Sequence, residues 1–392
     1  MCDFLKSRHR ELWDWFASTE AQSDYAEAVQ FELLKTTYRM DREKHENLYR
    51  LVDEALQLLE LDVPVTLYQA QETGRTSAAL YFTPGHGHLV FVGGILKLLD
   101  QDEQRALVGH ELAHFKLWTI SNSDFLVTDR LLQTLANEPR ATPGHLESAR
   151  LWQLYTEVYA DRGAAQMASE GHAAVSLLVK VSTGLEDVDA ESYLKQAEDI
   201  FAKGPVKAEG FTHPETYIRA RAISLWSAEE DDCEASIEEM IEGSTGFDEL
   251  DLLDQERMTD ITQRMVNYLL RHDWIRTGRI KTHANYFFPK GMEPAVVTSE
   301  QILTDWQGAD EKARDYGCYL LLDFGWADRD LEEYAMAASF LTAEELGWAD
   351  RLEELARKEL KLLKRDTARI RANAEKMVKQ AEVENRKATT SE

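Results

Sequence analysis

The sequence predicts an α+β protein, predominantly α-helical, in which a small and mostly antiparallel sheet packs on one central helix and an all-α C-terminal domain follows. Three observations carry this. Long stretches nearly free of Gly and Pro place apolar residues at helical spacing, as at Leu48, Leu51, Val52, Ala55, Leu58 and Leu59. Strand-like runs are short and confined to residues 65–92. Helical patterning then resumes and continues past residue 300. At 392 residues and 44% hydrophobic, the chain can bury two or three cores.

Taken in order, residues 1–60 read as two helices, and Pro64 ends helical character. Val65 to Ala70, Ser77 to Phe82 and His88 to Val92 follow as strands, separated by turn residues at 72–75 (Glu-Thr-Gly-Arg) and 83–87 (Thr-Pro-Gly-His-Gly). The expected sheet is a set of antiparallel hairpins with room for one parallel pair. Asp100 with Glu103 three residues on makes a capping-box start, and the run to Trp118 contains no helix breaker. Another long helix is expected over about Leu146 to Glu170. Between 227 and 260 stand 14 acids against Arg257 alone, which reads as a solvated linker. Domains are therefore expected at 1–228, 229–300 (acidic linker and helical connector) and 301–392, the last ending in a basic helix from Arg357 to Lys387 with 11 Lys+Arg against 5 acids.

Charge excludes some partners. With 71 Asp+Glu against 44 Lys+Arg, the net charge of -27 repels nucleic acid and anionic membrane, so no nucleic-acid partner is expected. Cys2, Cys233 and Cys318 are odd in number and far apart, which fits neither a disulfide framework nor a cysteine zinc site. No stretch approaches the ~18 to 20 apolar residues of a membrane span, and the first sixteen residues lack an unbroken apolar core of the signal-peptide kind. The expectation is a cytoplasmic protein without a transmembrane segment.

The segment with chemical content is Val-Gly-His-Glu-Leu-Ala-His, residues 108–114. His110 and His114 lie four apart on one helix, so both imidazoles project from one face and can bind one ion. Glu111 can reach a water on that ion. Zinc lowers the pKa of such a water to about 7, and a neighbouring carboxylate can take its proton as it attacks a polarised carbonyl. That pattern points to amide hydrolysis with one Zn²⁺ per chain. Only about 0.03 such matches are expected by chance in a chain of this composition, so context decides. A metzincin arrangement would need Gly at 117 and His at 120, where Leu117 and Ile120 stand. A gluzincin arrangement takes a Glu from a later helix, and residues 155–161 (Tyr-Thr-Glu-Val-Tyr-Ala-Asp) supply Glu157, with Asp161 one turn on to accept the outer N–H of a bound imidazole.

These residues resemble the gluzincin zinc metallopeptidases of the HtpX and CaaX-prenyl-endopeptidase type, over about residues 45–226. The shared order is a small sheet, a glycine-bearing strand-to-helix entry at 89–103, the helix of residues 109–114, the Glu157/Asp161 helix and then residues 212–219 (Thr-His-Pro-Glu-Thr-Tyr-Ile-Arg). The resemblance implies a zincin-like core, metal ligands His110, His114 and Glu157, and Glu111 as general base. It further implies His213 as oxyanion or substrate stabiliser, with Asp161 and Arg219 supporting the centre. It places a substrate-lining strand at Ser77, Ala78 and Ala79, where the family's Asn is missing and extended-peptide addition stays compatible with small residues. The family's membrane helices are absent. His86 and His88 read as turn and surface residues rather than ligands.

Residues 313–360 resemble, more distantly, TerB-type helical domains of stress and conflict systems. Asp323, Asp328, Asp330 and Glu333 there form either an acidic divalent-ion patch or helix caps and a solvated face. The leading expectation is an endopeptidase for protein or peptide substrates, regulated by the C-terminal helices through a partner or a second copy. The alternative is an interaction protein of a stress or defence system keeping zinc for structure alone, against which Glu111 argues.

Overall fold

The computed structural model describes all residues except 71–75, 169–170, 244–246, 248, 290, 293, 332 and 390–392, and of 19–22 and 388–389 the backbone only. The expected turn at 72–75, the end of the long helix at Glu170 and Asp248 of the acidic run fall outside the described residues. Two compact units form, one from Met1–Thr245 with Glu249–Leu252, the other from Gly246–Asp248 with Leu253–Glu392.

The first unit begins with α1 (Cys2–Arg8), α2 (Arg10–Ala17), α3 (Thr19–Thr36), the short β1 (Thr37–Arg39) and α4 (Glu46–Leu58). Three helices and a strand thus precede α4, where two helices were expected in all. The chain breaks at His9 (φ -126°, ψ 42°) and at the extended Ser18, neither of which is a Gly or Pro that periodicity would have flagged. Strands β2 (Val65–Ala70), β3 (Ser77–Thr83) and β4 (His86–Val92) follow. The sheet order is β1-β2-β4-β3, with β2 and β4 parallel and the outer pairs antiparallel. Pro84 and Gly85 (φ 70°) turn β3 into β4, the left-handed position going to the residue without a Cβ.

Both faces of the sheet are covered, which explains the nearly continuous apolar run of β4. On one face Leu67, Leu89 and Phe91 pack with Tyr49 and Val52 of α4. Leu107, Leu112 and Phe115 of the central helix complete that core. On the other, Tyr68 and Val90 meet Leu33 of α3. The helical remainder is α5 (Ile95–Leu98), α6 (Gln101–Thr119), α7 (Asp124–Asn137), α8 (Pro143–Met167), α9 (Gly171–Thr183), α10 (Ala190–Phe201), α11 (Thr216–Ser227) and α12 (Cys233–Glu242). Asp100 caps α6 through the expected capping box with Glu103. Glu103 also receives Ser176 Oγ at 2.6 Å and Lys180 Nζ at 2.9 Å, so its buried charge ties α9 to the start of α6.

The segment 229–300, read from sequence as a linker and connector, is divided between the units. Its α12 buries Ile237, Met240 and Ile241 against Leu154 and Val158 of α8, keeping its acids on the outer face. The second unit contains α13 (Leu252–Leu269), α14 (Gly278–Phe287), α15 (Ser299–Asp305), α16 (Glu311–Trp326), α17 (Tyr334–Glu345), α18 (Ala349–Glu359), α19 (Lys364–Ala372) and α20 (Ala374–Thr389). The expected single basic helix from Arg357 to Lys387 is therefore three pieces. It breaks near Lys361, which takes a left-handed φ of 55°, and at Asn373, so that Ile370, Ala374 and Val378 can turn into the core of this unit. Its arginines pair locally: Arg369 with Glu333, and Arg371 with Glu344, Asp350 and Glu353. Among the described residues no helix is long and apolar enough to cross a membrane.

Candidate metal centre

The centre is built where α6 crosses α8, and small residues make the crossing close. A Cβ on Gly163 would stand 2.4 Å from Ala113 Cβ, and one on Gly109 would stand 2.5 Å from the Gly163 carbonyl oxygen. Only backbones without side chains fit at this separation. The approach lets the one face of α6 that bears His110 and His114 meet the face of α8 that bears Glu157 and Asp161.

Donor atoms of three residues converge there. His110 Nε2 and His114 Nε2 are 3.3 Å apart, and Glu157 offers Oε2 at 3.6 Å to the first and Oε1 at 3.5 Å to the second. A tetrahedral ion with bonds of about 2.0–2.1 Å separates its ligand atoms by about 3.3–3.4 Å, so the spacing suits a shared cation. Glu157 Oε2 is buried and, although ion-paired with Arg219 at 3.2 Å, accepts no hydrogen bond, which leaves it available as a ligand oxygen. Among the described residues these three are the group that could hold a metal ion.

Behind them, His110 Nδ1 lies 3.2 Å from Asp161 Oδ1, which directs the Nε2 lone pair toward the cluster. Asp161 is itself clamped by Arg219, with Nε at 2.8 Å and Nη2 at 2.6 Å on its two oxygens, and Nη2 is also 3.2 Å from Glu157. Burial alone would push Asp161 up, but the Arg219 guanidinium overrides it and holds the carboxyl at about 2. Glu157 is likewise lowered, burial being outweighed by Arg219 and the imidazoles. Glu111 has no such clamp, and burial pushes it up to about 7. His114 is driven down to about 4 by burial, so its imidazole is neutral and free to act as a ligand.

A cavity of about 220 Å³ opens beside the cluster. His110, Glu111, Glu157, His213 and Arg219 line its polar side, and Ile95, Leu107, Leu177, Leu178 and Val181 its apolar side. Ser77 and Ala78 of β3 stand at its edge, whereas Ala79, next along the strand, does not line it. His213 Nε2 is 3.5 Å from Glu157 Oε1 on an otherwise exposed loop, and burial against the cleft lowers its pKa. The structure thus brings together nine of the ten expected site residues, all but Ala79. His88 is inside the sheet between Tyr68 and Thr83 hydroxyls at 3.2 and 3.1 Å, not on the surface.

Other residues escaped sequence reasoning. Gly109 with Ala113, and Ala160 with Gly163 and Ala164, are small-residue sets at one-turn spacing, a signal of close helix packing legible in the sequence. Trp118, stacked on His114, carried no such signal. In the second unit, Asp328 is taken up by Thr277 at 2.6 Å, Arg279 at 3.1 Å and the Asp330 amide at 3.1 Å. Asp330 also pairs with Arg279, and Asp323 is exposed. Asp328 and Asp330 thus act as hydrogen-bond and ion-pair partners, and Asp323 lies on a solvated face.

No family model matches the chain, and no solved structure matches it. Over 93 residues it is 34% identical to the protein named "Protease HtpX homolog" of Aquifex aeolicus (strain VF5), covering 24% of this chain. The match spans 25% of that protein, so the chain covers about a quarter of the length of the curated relative to which it is similar.

Proposed function

We propose that the chain is a zinc-dependent endopeptidase acting on protein or peptide substrates, with one zinc ion held by His110, His114 and Glu157. The observation that carries this reading is the convergence of His110, His114 and Glu157, whose ligand atoms lie within 4.8 Å of one another, beside a buried carboxylate that has no cationic clamp. The partial likeness to a protein named as a protease agrees with it. Zinc at this position supplies a Lewis acid that polarises a peptide carbonyl and acidifies a water.

The chain's own residues then have distinct tasks. Glu111, raised to about 7, takes the proton of the attacking water at its carboxylate and returns it to the departing amide nitrogen. His213, on the cleft side of its loop, donates from Nε2 toward the oxygen on which charge develops. Arg219 and Asp161 hold Glu157 and His110 in place. An extended substrate segment adds to the outer edge of β3 at Ser77 and Ala78, and an apolar side chain enters between Leu178 and Val181. The second unit, which has a core of its own, is assigned a regulatory role.

The deciding comparison is cleavage of an unstructured protein by the wild type and by Glu111→Gln, with bound zinc measured in both. The variant is expected to keep its zinc and to lose about 10²–10⁴-fold in rate. Equal rates would remove the mechanism, and zinc bound without cleavage by either would leave a structural site. Removing 253–392 without change in rate or substrate range would remove the regulatory role.

A further inference from the structure

The two histidines of the cluster are supported very differently. His110 has its outer nitrogen on Asp161 at 3.2 Å, and Asp161 is locked by two contacts from Arg219. His114 has its outer nitrogen, Nδ1, buried and without a hydrogen-bond partner. A metal-bound imidazole ordinarily donates that N–H to an acceptor, which fixes both the tautomer and the plane of the ring. A buried N–H without an acceptor carries a penalty and leaves the ring orientation to be set by something else.

What lies against the ring is Trp118. One turn beyond His114 on α6, its indole is stacked on the imidazole with centroids 5.9 Å apart and planes 28° from parallel. His110 also meets the imidazole, edge-on, at 4.9 Å and 84°. The His114 ring thus packs against two other rings, and this packing performs what a hydrogen bond performs for His110.

We infer that Trp118 is a positioning residue for metal binding, holding the His114 ring plane so that Nε2 points into the cluster. The inference rests on the reading of His110, His114 and Glu157 as metal ligands. Stacking restricts the plane of a ring but does not distinguish its nitrogens, so the His114 arm of the site is the weaker one. Losing the stack lets the imidazole rotate, and each turn away from the cluster subtracts from affinity without touching the Asp161–Arg219 arm.

The test uses the full chain, stripped of metal and titrated with Zn²⁺ against a fluorescent chelator, together with proton–nitrogen spectra of the histidine rings in the metal-free protein. Trp118→Ala and Trp118→Leu are expected to bind Zn²⁺ at least about ten-fold more weakly, the low end of the range for lost support of a ligand. Trp118→Phe, which restores a stacking face, is expected within about three-fold of wild type. Trp118→Leu keeps apolar bulk, so it reports on the stack even where Trp118→Ala does not fold. The spectra are expected to show unchanged ring signals for His110 in every variant and shifted, broadened ring signals for His114, the mark of a rotating ring, in Trp118→Leu but not in Trp118→Phe. Wild-type affinity in Trp118→Leu, or equal losses in Trp118→Leu and Trp118→Phe, would overturn the inference. Wild-type affinity in His114→Ala would instead bring down the ligand assignment itself.

Discussion

Gly163→Ala is expected to disable the metal centre from a position that touches no ligand. A Cβ at residue 163 would lie 2.4 Å from Ala113 Cβ and 2.8 Å from the Gly109 carbonyl oxygen, where ordinary contact begins at 3.4 Å. The helices must therefore separate by 3.4 minus 2.4, or 1.0 Å, because both obstacles belong to the body of α6 and cannot swing aside. Overpacking of this kind costs about 1–3 kcal/mol, which for a unit of this size lowers the melting temperature by about 2–12 °C. The same displacement acts directly on the 3.5 and 3.6 Å spacings between the imidazoles on α6 and Glu157 on α8. Zinc affinity should fall at least ten-fold, and misplacement of about 1 Å suffices for a rate loss of ~10². Thermal unfolding by circular dichroism and Zn²⁺ titration measure both effects. Gly94→Ala is the control, since a Cβ there meets nothing within 4 Å. A Gly163→Ala protein with wild-type melting temperature and wild-type zinc affinity would refute the claim that this crossing sets the site.

Further outcomes follow from the same geometry. Asp161→Asn removes the carboxylate that answers Arg219, leaving a buried guanidinium short of its partner; a loss of about 3–5 kcal/mol in chemical denaturation is expected. Its zinc affinity should fall 10–100-fold. Chelation of a zinc-loaded sample should lower the melting temperature of the first unit, since zinc at 100 times its Kd contributes about 2.7 kcal/mol; an unchanged melt would count against metal binding in the fold. His88, 3% exposed, is pushed down to about 4 by burial, with His86 beside it adding to the effect. A lowered folded pKa means that its contribution is complete above about pH 6.5 and is lost as pH falls through 4, up to about 3 kcal/mol. Denaturation midpoints of His88→Gln, measured from pH 7 to 4, should thus decline less steeply than those of the wild type, and parallel curves would exclude the assignment.

Legibility from the sequence followed the range of the forces involved. The capping box at Asp100 and Glu103 and the strands read at 65–70, 77–82 and 88–92 are legible because each is decided within a few residues, the last two running on to Thr83 and back to His86 in the structure. The parallel pairing of β2 with β4 is not legible in the strands themselves, because strand partners are chosen by what covers both faces of the sheet. The acidic run at 227–260 looked like a linker because its charges dominate the composition. Ile237, Met240 and Ile241 nevertheless bury one face of α12. The basic tail read as one helix because nothing in it breaks a helix, yet the core of the second unit needs Ile370 and Val378 facing inward from separate pieces.

By itself, the sequence determined that His110, Glu111 and His114 share a stretch of one helix, because a four-residue separation places two side chains on one face whatever surrounds them. It also singled out Glu157, Asp161, His213 and Arg219 as residues of suitable chemistry. Only the tertiary structure decided that they meet. Gly109 and Gly163 bring α6 and α8 close enough for Glu157 to reach both imidazoles, and Arg219 arrives from α11 to hold the buried carboxylates. It alone distinguished the two histidines, one held by Asp161 and the other by the face of Trp118. Periodicity is a property of a single element, whereas distances between elements depend on which side chains are small enough to let them approach.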